Sequence, residues 1–205
     1  MTAPYEWNGM PHILDVRCPN CTAKAYFEFS EIVRIREKKD VPFFQQSDQF
    51  EYRLMKDHCG HKWHAAIFHA GLHGRTTDSI RELPEGYAAA DWEHSVYLRG
   101  NNGLDIGAID CGSCHFRAQH TLKWPADAYY QIDYKNETLW AFHEESARVL
   151  RDFISAAHRD RAGFRWRNFL MHVPTLFLRH QARATVVKRL NGILDPLGKR
   201  TRLNR

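Results

Sequence analysis

The residues best suited to chemistry in this 205-residue chain are its five cysteines. Four fall into two pairs of identical spacing, Cys18-Pro-Asn-Cys21 and Cys111-Gly-Ser-Cys114, and Cys59 stands alone. An odd count without a secretory start argues against a disulfide framework and for metal or redox chemistry. Two thiolates at this spacing can turn onto one tetrahedral ion, and two such pairs complete a four-cysteine shell of the kind zinc favours. A redox pair would need its first thiolate at a helix N-terminus. Here both pairs run into strand-like sequence, Thr22-Ala-Lys-Ala-Tyr-Phe-Glu-Phe29 and His115-Phe-Arg-Ala-Gln-His-Thr-Leu122. The reading is a structural Zn²⁺ held by Cys18, Cys21, Cys111 and Cys114.

A second-choice ligand set uses Cys59 and His61. The stretch His58-Cys-Gly-His-Lys-Trp-His64 reads as a degenerate knuckle that could join Cys18 and Cys21. That choice leaves Cys111 and Cys114 with only histidines such as His115, His120 or His143 for partners. A second ion near Cys59 stays open. His58, His61, His64, His69 and His73 crowd sixteen residues. His69 and His73 have a helical metal-ligand spacing, but the alternation of residues 61–69 is that of a strand, and these side chains read as surface histidines.

The segments after the two pairs match weakly: Lys24 and Arg117 are basic at the third position, Ala25 and Ala118 follow at the fourth. The knuckles and their strands resemble a zinc ribbon, a small β-module built on four zinc-binding cysteines. The departure is the 89 residues between Cys21 and Cys111, which require an insertion at about 38–93. A second resemblance lies in Trp124-Pro-Ala-Asp-Ala-Tyr-Tyr130, Thr138-Leu-Trp-Ala-Phe142 and Arg148-Val-Leu-Arg-Asp-Phe-Ile154. This is similar to a tail that follows a CxxC knuckle in uncharacterised bacterial zinc-ribbon proteins. It implies an architecture and a bacterial context, and brings no activity with it.

The elements that must position these groups are legible from periodicity. Residues 22–37 alternate as one long or bulged strand, and residues 49–56 alternate towards Cys59. Residues 71–90, broken by Gly71, Gly74, Pro84 and Gly86, read as a surface connection. Residues 94–99 and 104–109 flank Gly100-Asn-Asn-Gly103 as a hairpin that delivers Cys111. Strands follow at 115–123, 129–134 and 138–142, giving an antiparallel meander. Helical period begins near residue 143, with Ala147, Leu150, Ile154 and Ala157 on one face and two glutamates in the first turn. Further helices are expected over 162–172, ended by Pro174, and over about 181–194. The fold class is therefore α+β: antiparallel strands around a zinc-ribbon-like four-cysteine site in residues 1–142, then a basic helical segment, 143–205.

Charge divides the same way. The net +5 is the sum of −4 over residues 1–140 and +9 over 141–205. From Arg159 onward there are 12 Lys and Arg against 2 acidic residues. Arg161, Arg165, Asn168 and His172 recur on one helical face, and Arg165-Trp-Arg167 could stack on an unpaired base. A basic face can track phosphates, so Arg161, Arg165, Lys188 and Arg189 are the candidate nucleic-acid contacts. A protein partner or a structural role in a bacterial assembly is the alternative. Enzymes come last: His143-Glu144-Glu145 follows the second CxxC, the wrong order for a zinc deaminase. His-Glu-x-x-His, Walker and Gly-x-Ser-x-Gly motifs do not occur. A thiol enzyme built on Cys59 is the remaining catalytic reading. No apolar run approaches the roughly 18 residues of a membrane-spanning helix, and the first residues lack a signal-peptide pattern, so a cytoplasmic protein is expected.

Overall fold

The computed structural model describes residues 10–57, 59–74, 76–95, 105–160 and 163–195. It is α+β, with antiparallel strand pairings and a long helix near the C-terminus. The chain forms two compact units. One combines Pro11–Ile13 with Cys18–Lys123, the other Leu14–Arg17 with the chain from Trp124.

The first unit holds all five cysteines. Its strands β2 (Lys24–Phe29), β7 (Ile106–Asp110) and β8 (Arg117–Thr121) lie side by side with β7 in the centre. Alternation in β2 buries Ala25, Phe27 and Phe29. Gly107 allows β7 to approach β2: a Cβ there would stand 2.6 Å from Phe27 Cζ, and closer still to the Glu28 carbonyl oxygen. A second sheet runs in the order β4 (Phe50–Lys56), β5 (Lys62–Phe68), β3 (Glu31–Arg34), β6 (Glu93–His94). It covers an aromatic core of Phe44, Phe50, Phe68 and Trp92, to which α1 (Val41–Gln46) contributes Phe44. Beyond β5 the chain makes short 3-10 turns at 70–72, 77–79 and 89–91.

The single strand expected over 22–37 is two strands in two sheets. Ser30 is the pivot: its N–H and its hydroxyl both donate to the Ile106 carbonyl, and its own carbonyl accepts the Ser95 N–H. The alternating pattern continues through a residue that changes sheets. The expected 94–109 hairpin also differs in the described residues. Glu93–His94 pairs with β3, and β7 is flanked along its length by β2 and β8. Its turn, and residues 96–104 as a whole, lie outside the described residues.

In the second unit, β9 (Tyr130–Tyr134) and β10 (Glu137–Ala141) form a hairpin. Lys135 and Asn136 both take positive φ, 48° and 62°, as a two-residue turn of the I′ kind requires. Leu14–Arg17, most of β1 (Ile13–Arg17), adds backbone bonds from Asp15 to Phe142 and from Tyr129 to Asp15. Helix α2 (Glu144–Ser155) begins on a capping box in which His143 Nδ1 accepts the Ser146 N–H and Ser146 Oγ accepts the His143 N–H. Buried Asp15 accepts the Glu144 N–H at 3.0 Å, placing a carboxylate at the helix N-terminus where the dipole favours it. The short α3 (Arg167–Met171) and α4 (Thr175–Leu178) lead to α5 (His180–Leu194), which buries Ala182, Val186, Leu190 and Leu194. The helix expected over 162–172 is cut to five residues because Trp166 stands at φ 66°, outside the right-handed helical region.

Candidate metal centre

Each cysteine pair closes into the same backbone loop. Thr22 N–H donates to the Cys18 carbonyl and His115 N–H to the Cys111 carbonyl, both at 2.9 Å. Cys18 N–H donates to Ala23 O and Cys111 N–H to Phe116 O, again both at 2.9 Å. The residue after each second cysteine takes positive φ, 63° at Thr22 and 59° at His115. The first loop leads into β2 and the second joins β7 to β8; β2 and β7 pair directly, Tyr26 opposite Asp110. That pairing sets the loops side by side.

The four sulfurs consequently meet. Cys18 Sγ lies 3.7 Å from Cys114 Sγ, Cys21 Sγ lies 3.6 Å from Cys111 Sγ, and all four fall within 4.8 Å of one another. A disulfide needs about 2.05 Å, so these are free thiols. Zinc–sulfur bonds of about 2.3 Å in a tetrahedron give sulfur–sulfur edges of about 3.8 Å, close to the two distances found. Cys18 and Cys111 are buried, Cys21 and Cys114 half-buried. The donor set fits a soft divalent ion such as zinc, and fills all four tetrahedral positions.

Hydrogen bonds to sulfur differentiate the thiols. The Asn20 amide reaches across to Cys114 Sγ at 3.5 Å. This contact, with the Phe116 N–H, brings the Cys114 thiol down to about 6, because donors favour the thiolate. For Cys21 the Ala23 N–H pulls the same way, but hydrogen bonding to Cys114, burial and the other two thiols outweigh it and push the group up to about 12. Asn20 is the contributor that spacing arguments pass over, being one of the two variable residues between the cysteines.

Cys59 and His61 stand apart from this cluster. They sit in the β4–β5 turn, where Asp57 accepts both of their N–H groups at 2.9 Å and Gly60 takes φ 85°. Together with Asp57 they form a separate, largely exposed group. His58 lies outside the described residues. Among the other histidines, His64 bonds Tyr52 OH at 2.7 Å and His73 is exposed. His69 departs from the surface reading: it is 3% exposed, with Nε2 on Glu51 at 2.9 Å. His115 is exposed, His120 rings against Phe27, and His143 caps α2.

The basic candidates are scattered in role. Arg161 lies outside the described residues. Arg165 precedes α3 and pairs with Glu145 at 2.5 Å, so the expected stripe with Asn168 and His172 does not run along one helix. Trp166 is half-buried, its ring 5.0 Å from His143 and 6.0 Å from Phe142, and is no open stacking platform. Arg159 donates to the carbonyls of Phe153, Ile154 and Leu178. Lys188 and Arg189 are exposed on α5, with Arg189 donating to the Asp133 carbonyl. Both line a cleft of about 520 Å³ with Ile132, Thr185, Gly192 and Ile193.

Comparison with protein-family models, with curated proteins and with solved structures returned no match. Among the described residues, no helix is long and apolar enough to cross a membrane.

Proposed function

We propose that the chain is a zinc-stabilised binding module, zinc-ribbon-like at its knuckles, that contacts nucleic acid through the basic segment 143–205. The observation that carries the metal part is the pair of matching loops whose four sulfurs converge within 4.8 Å. Four thiolates leave no position for water or substrate, so the ion acts as scaffold rather than catalyst. Thiols kept free in this way suit a reducing bacterial cytoplasm. The nucleic-acid part rests on the charge of +9 over residues 141–205 and on the exposure of Lys188 and Arg189.

The test is fluorescence anisotropy with mixed-sequence single- and double-stranded oligonucleotides at low and raised salt. Binding is expected to fall steeply with salt, as counterion release demands, and to weaken in Arg161→Glu, Arg165→Glu, Lys188→Glu and Arg189→Glu. Binding that is unchanged in all four variants overturns the nucleic-acid reading. The cleft beside Lys188 and Arg189, with its apolar Ile132 and Ile193, favours a second reading, docking of an acidic protein segment. Capture of a partner that survives nuclease treatment and is lost in Lys188→Glu distinguishes it.

A further inference from the structure

A second set of side chains of metal-ligating type gathers in the cysteine-bearing unit, with donor chemistry unlike that of the thiols. Glu31 and His94 sit directly opposite each other in the β3–β6 pairing. His12 is brought alongside by its carbonyl, which accepts the Phe29 N–H. Glu28 reaches His12 from β2. His94 Nδ1 lies 2.6 Å from Glu31 Oε1, while His12 Nε2 lies 3.5 Å from that same oxygen and 3.4 Å from Glu28 Oε1. The two imidazole rings are 3.9 Å apart at 35°. A ligand atom from each of His12, Glu31 and His94 falls within 4.8 Å of the others.

We propose that His12, His94 and Glu31 form a second metal site, with Glu28 beside it and the fourth position left to water, for a divalent first-row transition ion bound by nitrogen and oxygen. Imidazole with carboxylate is the donor mixture that holds zinc, iron or manganese, whereas the thiol cluster selects softer ions. Tetrahedral bonds of about 2.0 Å give ligand–ligand edges of about 3.3 Å, and the His12–Glu31 contact at 3.5 Å is already close to that spacing. The shorter His94–Glu31 contact is a hydrogen bond. A metal ion at His94 Nδ1 displaces the proton there, which moves to Nε2 of a neutral ring or leaves to solvent from an imidazolium, and the contact opens to the same edge.

Charge points the same way. Glu31 is 4% exposed, and a second carboxylate, Glu28, contacts the same His12 nitrogen. Two carboxylates neutralise a dication, and a dication removes their repulsion. Access is through His94, whose side chain is 39% exposed. Glu28 also lines a cleft of about 170 Å³ with Ile13, Tyr26, Gly71, Ala108 and Asp110, so a small ligand held there lies one carboxylate from the ion. Mixed nitrogen and oxygen sites with water in the remaining positions are the reactive kind, in contrast to the closed four-thiolate shell.

The experiment reconstitutes the full chain with Co²⁺ as the probe and follows stoichiometry and absorption together. Two equivalents are expected: one with the intense thiolate-to-cobalt charge-transfer band, and one that adds only weak visible absorption. His94→Gln and His12→Gln should each drop the stoichiometry to one and leave the thiolate band unchanged. Circular dichroism reports the fold, and the two variants, on separate segments, check one another. Cys111→Ser should lose the thiolate band, which separates failure of the thiol centre from failure of this site. A wild-type chain that stops at one equivalent holds only a proton between His94 and Glu31, and overturns the proposal. So does an unchanged two-equivalent uptake by His94→Gln, or loss of the second equivalent in His61→Gln.

Discussion

Thr22 and His115 occupy equivalent places in two loops 93 positions apart, at φ 63° and 59°, each donating its N–H to the first cysteine of its pair. The backbone therefore repeats where the side chains hardly do. An L-residue in this left-handed region is disfavoured, and a β-branched one most of all. His115→Gly is expected to stabilise the zinc-loaded protein by about 0.5–1 kcal/mol, the relief of strain exceeding the extra flexibility of the unfolded chain. Thr22→Gly should gain less, since it loses the bond from Thr22 Oγ1 to the Cys21 carbonyl. Urea unfolding at saturating zinc measures both, and a loss of stability in His115→Gly would falsify the argument.

Removing single sulfurs separates the cluster from the lone cysteine. Cys18→Ser and Cys111→Ser are expected to lose the ion and most of the stability of their unit, since structural zinc contributes about 10–16 kcal/mol of apparent binding energy in finger peptides. Cys59→Ser, exposed in its turn, should keep one equivalent in the thiol centre and shift stability by no more than about 0.5 kcal/mol. Metal analysis after gel filtration reads the difference. Retention of thiol-centre zinc by Cys111→Ser together with its loss in Cys59→Ser would reverse the ligand assignment.

Asn20 acts on the ion through Cys114. Its amide donates to the sulfur at 3.5 Å and favours the thiolate. Asn20→Ala is expected to weaken zinc binding by about tenfold, the lower end of outer-shell effects, in competition with a chromogenic chelator. Asn20→Asp should weaken it further by adding a negative charge beside the thiolates. Equal affinity across the three proteins would show that the amide contributes nothing.

How much of this was legible depends on how local each signal is. The CxxC pairs, the β9–β10 turn and the apolar stripe Val186, Leu190, Leu194 are short-range patterns, and each corresponds to a structural element. The break at Ser30 is invisible, because alternation reports which face a residue takes and not which sheet it joins. Trp166 carries no local sign of its positive φ. His69 reads as one member of a polar cluster, yet it is buried by a partner eighteen residues earlier, Glu51. The His12, Glu31 and His94 group is assembled from three segments far apart in the sequence. It follows from pairing register, which a single sequence does not display.

Gly107 tests the β2–β7 pairing directly. A Cβ on Gly107 meets the Glu28 backbone and the Phe27 ring, neither of which is the end of a flexible chain. Gly107→Ala is expected to destabilise the protein by about 3 kcal/mol, the upper part of the usual overpacking range. Gly112→Ala, where no atom stands within 4 Å of the added carbon, serves as the control at about zero. Urea midpoints that coincide for the two variants would mean that β2 and β7 do not approach as closely as described.

His143 gives the second unit a pH dependence of known sign. Burial lowers its pKa from the ordinary 6.5, outweighing the opposing pull of Asp15 and Glu145. Its Nδ1 accepts the Ser146 N–H, which only the unprotonated ring can do. A depressed histidine pKa means that the unfolded chain takes up the proton first, so stability rises with pH through this range. The contribution is complete above about 6.5 and is lost as the pH falls towards and through the lower folded value. His143→Asn keeps a cap acceptor and removes the titration. It should match the wild type near neutral pH within about 0.5 kcal/mol, while His143→Ala loses about 1 kcal/mol. Thermal unfolding of the three proteins between pH 5 and 8 decides it. A wild-type profile no steeper than that of His143→Asn would mean that the imidazole is not the acceptor at the start of α2.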